Sequence, residues 1–197
     1  MLANPDILKA MQRTDLADRL VITPLLAPSQ IGTSSVDLRL GFSFLLAKRA
    51  NVPAIDPMSG PALIVGEKLF EKITVSLGRK IFLHPKEFVI GATLEYLGLP
   101  RDIGGYVTSR SSWGRAGLAI ATATAVAPGF RGVITLELAN IGTAPIVLRP
   151  GVRIAQIIFH RSQAQELYRG RYKFPTEPQA GKIHLDDDLQ FWVPKSE

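Results

Sequence analysis

Two stretches of this chain carry residues whose types and spacing could do chemistry. The first is RGVITLELAN, residues 131–140, which alternates like a β-strand. Ile134, Leu136 and Leu138 fall on one face, and Thr135, Glu137 and Ala139 on the other. A carboxylate in the middle of such a strand sits either in water or buried and paired. Its small neighbours Thr135 and Ala139 leave room for a ligand. Desolvation would raise its pKa, so that it could shuttle protons near neutrality. The second stretch is TSRSSWGRAG, residues 108–117, with three serine or threonine hydroxyls in its first four residues, a fourth at Ser112, two arginines and two glycines. Hydroxyls, backbone N–H groups and guanidinium forks bind phosphate oxygens. The same stretch also reads as a surface turn entering a helix capped by Ser111 or Ser112.

The elements that must position these residues follow from period and punctuation. Residues 4–20, NPDILKAMQRTDLADRL, read as one helix or two short ones. Asn4 is the expected N-cap, Pro5 the first helical residue, and Ile7, Leu8, Met11 and Leu16 a packing stripe. Thereafter the period is two. Strands are expected at 35–40, 43–47, 62–65, 72–76, 80–83, 87–95, 104–109, 117–121, 132–139, 145–148 and 152–161, separated by turn signals such as Pro128-Gly129 and Pro150-Gly151. Many short strands with Pro/Gly turns indicate an antiparallel sandwich or jelly roll. The stretch from Arg169 on is polar, basic and aperiodic, and reads as a tail that is loose alone or orders against a partner or ligand.

Composition narrows the function. The 197 residues include no cysteine, which removes disulfides, thiolate nucleophiles and Cys-ligated metals. A net charge of +6 suits an anionic partner, yet no basic run supports a nucleic-acid arm. No apolar run reaches membrane-span length, and no signal peptide is evident, so a cytoplasmic protein is expected. The three histidines form no HxE, HExxH or HxxxH pattern, and neither a P-loop nor a GxGxxG fingerprint occurs. Zinc deaminases of nucleobases need His and Cys ligands that this chain cannot supply.

Six motifs, in order, carry a resemblance: SSVDLRLG (34–41), SRSSWGRAGL (109–118), the segment TA…PGFRG (122–132), ITLELANIG (134–142), RPGVRIAQIIF (149–159) and YRGRY…IHLD (168–186). Together they resemble the dCTP deaminase family, in the superfamily shared with trimeric dUTPases. The resemblance implies a distorted antiparallel jelly roll or β-barrel of the dUTPase-like type, built as one domain over 1–197. Its parts would be an N-terminal helical segment at 1–20, a β core at 21–165 and a tail at 166–197 closing over the nucleotide. It implies a homotrimer with active sites between subunits, and zinc-independent hydrolysis of dCTP to dUTP and ammonia. Mg²⁺ would arrive with the triphosphate, dTTP is a candidate inhibitor, and neither nucleic acid nor membrane is an expected partner.

Residue by residue, the resemblance makes Glu137 the proton relay, with Ser111 and Arg115 holding water and base. Arg110 and Ser112 would lie near the phosphates, and backbone groups at Thr122 and Ala123 would read the pyrimidine edge. Val126 and Gln156 join the substrate contacts, Phe130 packs near the sugar, and Tyr168, Arg171 and Lys173 close over the triphosphate. One departure matters. Ala127 stands where the family has an aspartate, which in dUTPases orients the water attacking the triphosphate. Its absence argues against a dUTPase step. It also leaves open a deaminase-like nucleotide-binding protein with an altered substrate or no catalysis.

Overall fold

Alternation of apolar residues dominates the architecture, because each strand must bury one face. The computed structural model describes residues 1–48, 54–56, 69–120, 124–163, 166, 168–185 and 187–191. The expected strand at 62–65, and Thr122 and Ala123, lie outside the described residues. Twelve strands are described: β1 (Val21–Thr23), β2 (Val36–Arg39), β3 (Ser43–Ala47), β4 (Phe70–Thr74), β5 (Ile81–Leu83), β6 (Phe88–Gly98), β7 (Ile103–Ser109), β8 (Leu118–Ile120), β9 (Ala125–Val126), β10 (Arg131–Asn140), β11 (Ile146–Leu148) and β12 (Arg153–Arg161). One sheet runs β4-β3-β6-β10-β8, with β1 also on β6, and a second runs β2-β12-β7-β9. A β5–β11 pair completes the set, and every ladder is antiparallel. Side chains of both main sheets, among them Phe44, Leu136, Leu138, Ile157 and Phe159, share one core. Each such side chain is worth roughly 1.5–3 kcal/mol relative to exposure.

The N-terminal helix is shorter than its sequence pattern suggests. It spans Asn4–Met11 as α1, and Ala3, not Asn4, is its N-cap. The Asn4 side chain instead donates to the carbonyl of Gly32 at 3.1 Å. Ile7 is fully buried and Met11 packs on the core, but Leu8 and Leu16 are exposed. Beyond the helix end, Asp15 accepts the N–H of Ala17 at 2.8 Å, a local turn that competes with helix. Just before it, Arg13 turns to grip Asp102 with two bonds of 2.7 Å.

The strand expected at 87–95 continues to Gly98. Its register against β10 shifts between Val133 and Thr135, opposite Thr93. Thr93 seals this bulge: its buried hydroxyl accepts the N–H of Ile134 at 2.9 Å and donates to the carbonyl of Glu95 at 2.8 Å. Glu95 does not end the strand because its carboxylate is not solvated. It is 0 % exposed, accepts from Gln30 Nε2 and from the backbone N–H of Arg39, both at 2.8 Å, and faces the Arg39 guanidinium at 3.9 Å. Burial pushes its pKa up, and those donors pull against the rise.

Removing this carboxylate takes one acceptor from the buried Gln30 amide and leaves the Arg39 backbone N–H without the acceptor it has here. Glu95→Ala is therefore expected to destabilise the fold by about 3 kcal/mol, read as a lower urea midpoint. An unchanged midpoint would show that the network contributes nothing.

Candidate functional site

A cavity of about 500 Å³ opens on the solvent-side face of β10. Val133, Thr135 and Glu137 alternate along its floor, as their period dictates. Ile90, the register partner of Glu137, and Phe88, one pair further on, come from β6, and Phe70 comes from β4. The turn after β9 supplies Ala127 and Phe130. There the N–H of Phe130 donates to the carbonyl of Ala127 at 3.1 Å, and Gly129 takes φ +81°. Pro128 followed by Gly129 is the pair a type II turn favours.

Glu137 is half-buried, and its Oε2 is buried with no hydrogen-bond partner. Desolvation raises its pKa, opposed only by its own backbone N–H. A carboxylate whose pKa is raised accepts a proton more readily than an ordinary one.

The C-terminal segment does not hang free. Its backbone is tied across the cavity by three bonds: Tyr168 N–H to the carbonyl of Pro128 at 2.9 Å, Val133 N–H to that of Pro175 at 2.8 Å, and Gln179 N–H to Thr135 Oγ1 at 3.2 Å. Tyr168 meets Phe130 edge-on, with ring centroids 5.8 Å apart. Gly132, at φ +147°, admits the chain, since a Cβ there would collide with the Pro175 ring. Tyr172, Gln179 and Ile183 complete the lining.

The serine–arginine turn forms α2 (Ser111–Arg115), and its N-cap is Arg110 with no side-chain cap, so neither Ser111 nor Ser112 caps it. Trp113 pins the helix by donating from Nε1 to the carbonyl of Arg153 at 2.9 Å. Arg110 donates its N–H to Ile154 and pairs through Nε with Asp37 at 3.2 Å. Ser111, Ser112 and Arg115 are exposed. Gln156 lies on β12 beside Ser35, at 3.2 Å.

The structure thus brings Glu137, Val126, Phe130 and Tyr168 into one cavity. Arg110, Ser111, Ser112, Arg115 and Gln156 do not line it. Neither do Arg171 and Lys173, although the flanking tail does; the carbonyl of Arg171 accepts from Lys182 Nζ at 3.2 Å. Phe70, Phe88, Ile90, Tyr172 and Gln179 escaped sequence reasoning as site residues. Phe88 and Ile90 share one face of EFVIGATLE, but nothing local says that this face meets Glu137. Among the described residues no three of His, Cys, Asp or Glu form a group suited to hold a metal ion.

Comparisons with known proteins agree with one another. Residues 1–162 match the family described as dCTP deaminase-like. The dCTP deaminase of Haloarcula marismortui is 41 % identical over 96 % of this chain and 97 % of its own. A Methanosphaera stadtmanae protein named "dCTP deaminase, dUMP-forming" is 39 % identical over 96 % of each chain. The crystal structure of the 2′-deoxycytidine 5′-triphosphate deaminase from Agrobacterium tumefaciens superposes with a TM-score of 0.61 at 28 % identity. It covers 83 % of this chain, which in turn spans about half (48 %) of that one.

A carboxyl whose folded pKa is raised binds its proton more tightly in the native state. Its cost to stability is absent below the ordinary value of 4.5 and grows as pH rises through the raised value. Glu137→Gln is therefore expected to stabilise the fold at pH 8, by roughly 1 kcal/mol, with the gain vanishing near pH 4. Urea unfolding at both pH values tests this, and a pH-independent difference would refute it.

Proposed function

This chain belongs to the dCTP deaminase family, and from that premise we propose that it hydrolyses dCTP to dUTP and ammonia with Glu137 as the proton relay. One observation carries the proposal: a partly desolvated, unpartnered carboxylate oxygen on the floor of a nucleoside-sized cavity. Water adds to C4 of the cytosine while Glu137 takes its proton. The carboxyl group returns that proton to N3, then carries the remaining proton of the C4 hydroxyl to N4; the C4–N4 bond breaks, the C4 carbonyl forms, and ammonia leaves with the bonding pair. Neutral attack by water is slow, and a relay that takes and gives the same proton contributes roughly 10²–10⁴-fold.

Ser111 and Arg115 complete the centre by fixing the water and the base. Because neither lines the cavity of its own chain, we read the site as shared between copies, in a homotrimer. Arg110 and Ser112 serve the phosphates, as do Arg171 and Lys173 of the tail, while Mg²⁺ enters as part of the triphosphate substrate. Thr122 and Ala123 read the base through their backbone, and Val126, Phe130 and Tyr168 enclose the sugar. Gln156 supports the phosphate side of the turn. The reaction belongs in the cytoplasm, with other soluble nucleotide chemistry.

Some relatives are named dUMP-forming. Ala127 offers no carboxylate at the cavity wall to orient a second water, so the product proposed here is dUTP.

Incubation with dCTP and Mg²⁺ should release ammonia and dUTP without pyrophosphate. Glu137→Gln should lower turnover at least about 10³-fold while nucleotide binding persists. A variant that turns over normally would remove Glu137 from the mechanism. Mixing inactive Glu137→Gln with inactive Arg115→Ala protein, after unfolding and reassembly, should recover about a quarter of wild-type activity, because one in four shared sites would be intact. No recovery would place the whole site within one chain.

A further inference from the structure

We propose that this site accepts cytosine nucleotides carrying an apolar group at C5, and that it converts 5-methyl-dCTP to a thymine nucleotide. This rests on the reading that Glu137 acts at C4. The flank of the cavity toward β6 and β4 is formed by Ile90, Phe88, Phe70 and Leu69. Ile90 faces Glu137 across the ladder, and Phe88 is the next residue on the same face. None of these four side chains can donate or accept a hydrogen bond. Among the described residues, the other polar side chains of the lining are on β10 (Thr135, and Glu137 opposite Ile90) and on the tail (Tyr168, Tyr172, Gln179).

Cytosine has one polar edge, bearing N4, N3 and O2, and one apolar edge, C5 and C6. With C4 at Glu137, turning the polar edge toward Ile90 and Phe88 would bury its donors and acceptors unpaired. The C5–C6 edge must therefore face that wall. C5 adjoins C4, so a substituent there projects beside Glu137 into the apolar flank. Phe88 remains 37 % exposed. A methyl group would cover part of it and gain by its own burial.

The chemistry balances as it does for the parent substrate. Water adds to C4, Glu137 moves one proton from that water to N3 and the other from the C4 hydroxyl to N4, and the C4–N4 bond breaks with loss of ammonia as the C4 carbonyl forms. The methyl group takes no part, and no oxidation occurs.

The test measures binding to Glu137→Gln protein and turnover by wild type for dCTP, 5-methyl-dCTP and 5-hydroxymethyl-dCTP, all with Mg²⁺. Binding of 5-methyl-dCTP is expected to equal that of dCTP or exceed it by up to about 10-fold, with release of ammonia and a thymine nucleotide. The hydroxymethyl compound should bind more weakly than the methyl one, since its hydroxyl would lie unpaired against Phe88. Ile90→Phe should lower the preference for methyl over hydrogen about 10-fold. Weaker binding of 5-methyl-dCTP by more than about threefold overturns the inference, as does equal binding of the hydroxymethyl compound, which would mean open solvent at C5. If wild type leaves dCTP itself unchanged, the deaminase reading fails; if dCTP reacts and 5-methyl-dCTP does not, only this inference fails.

Discussion

The pairing of β10 with β6 is the constraint on which the rest depends. It runs from Arg131 opposite Gly98 to Ala139 opposite Phe88, and shifts once, at the Thr93 bulge. Since side chains alternate with period two, this register fixes which residues face the core and which face the cavity. A slip of one residue would drive Glu137 into the space held by Leu136 and Leu138, both 0 % exposed. The hydroxyl of Thr93, tied to Ile134 and to the carbonyl of Glu95, lets the ladder bend without leaving its backbone groups unpaired.

Two glutamates on these paired strands show how environment divides one side-chain type into two roles. Glu95 is fully buried and held by Gln30 and by the Arg39 N–H, so burial is offset by donors. Glu137 is only half-buried, yet one of its oxygens has no donor. Burial raises the pKa of both, and Glu137 opens on the cavity. A satisfied carboxylate fixes structure, whereas an unsatisfied one keeps its lone pairs for a substrate or a water. The core tolerates the second because the even-numbered face of the same strand is buried in apolar contact.

Most strands were legible from the sequence because their signal is local: alternation, closed by Pro and Gly. The Pro128-Gly129 turn, with Gly129 at positive φ, follows from those two residues alone. What was hidden depends on contacts between distant residues. Glu95 looked like a strand end because its partners lie 65 and 56 residues away. The helix at 4–20 looked long because Arg13 finds its partner Asp102, 89 residues away, only in the folded chain. The tail looked loose because its anchors, Val133 and Thr135, belong to a strand already read as complete. Glu137 itself was legible as an anomaly of pattern, but its apolar surroundings from β4 and β6 were not.

Glu137 and the arginines of the α2 turn stand apart in one chain, and electrostatics gives that separation a consequence. Alone, the protomer holds Glu137 desolvated, so its proton is bound more tightly than usual. The arginines of the α2 turn are on the other side of the accounts: Arg110 is engaged by Asp37, and Arg115 ends a short helix in solvent. A guanidinium brought to Glu137 from a second copy would favour the ionised carboxylate and lower that pKa. Assembly would then do more than complete the geometry. It would shift Glu137 toward its ionised form, the form in which a carboxylate accepts a proton.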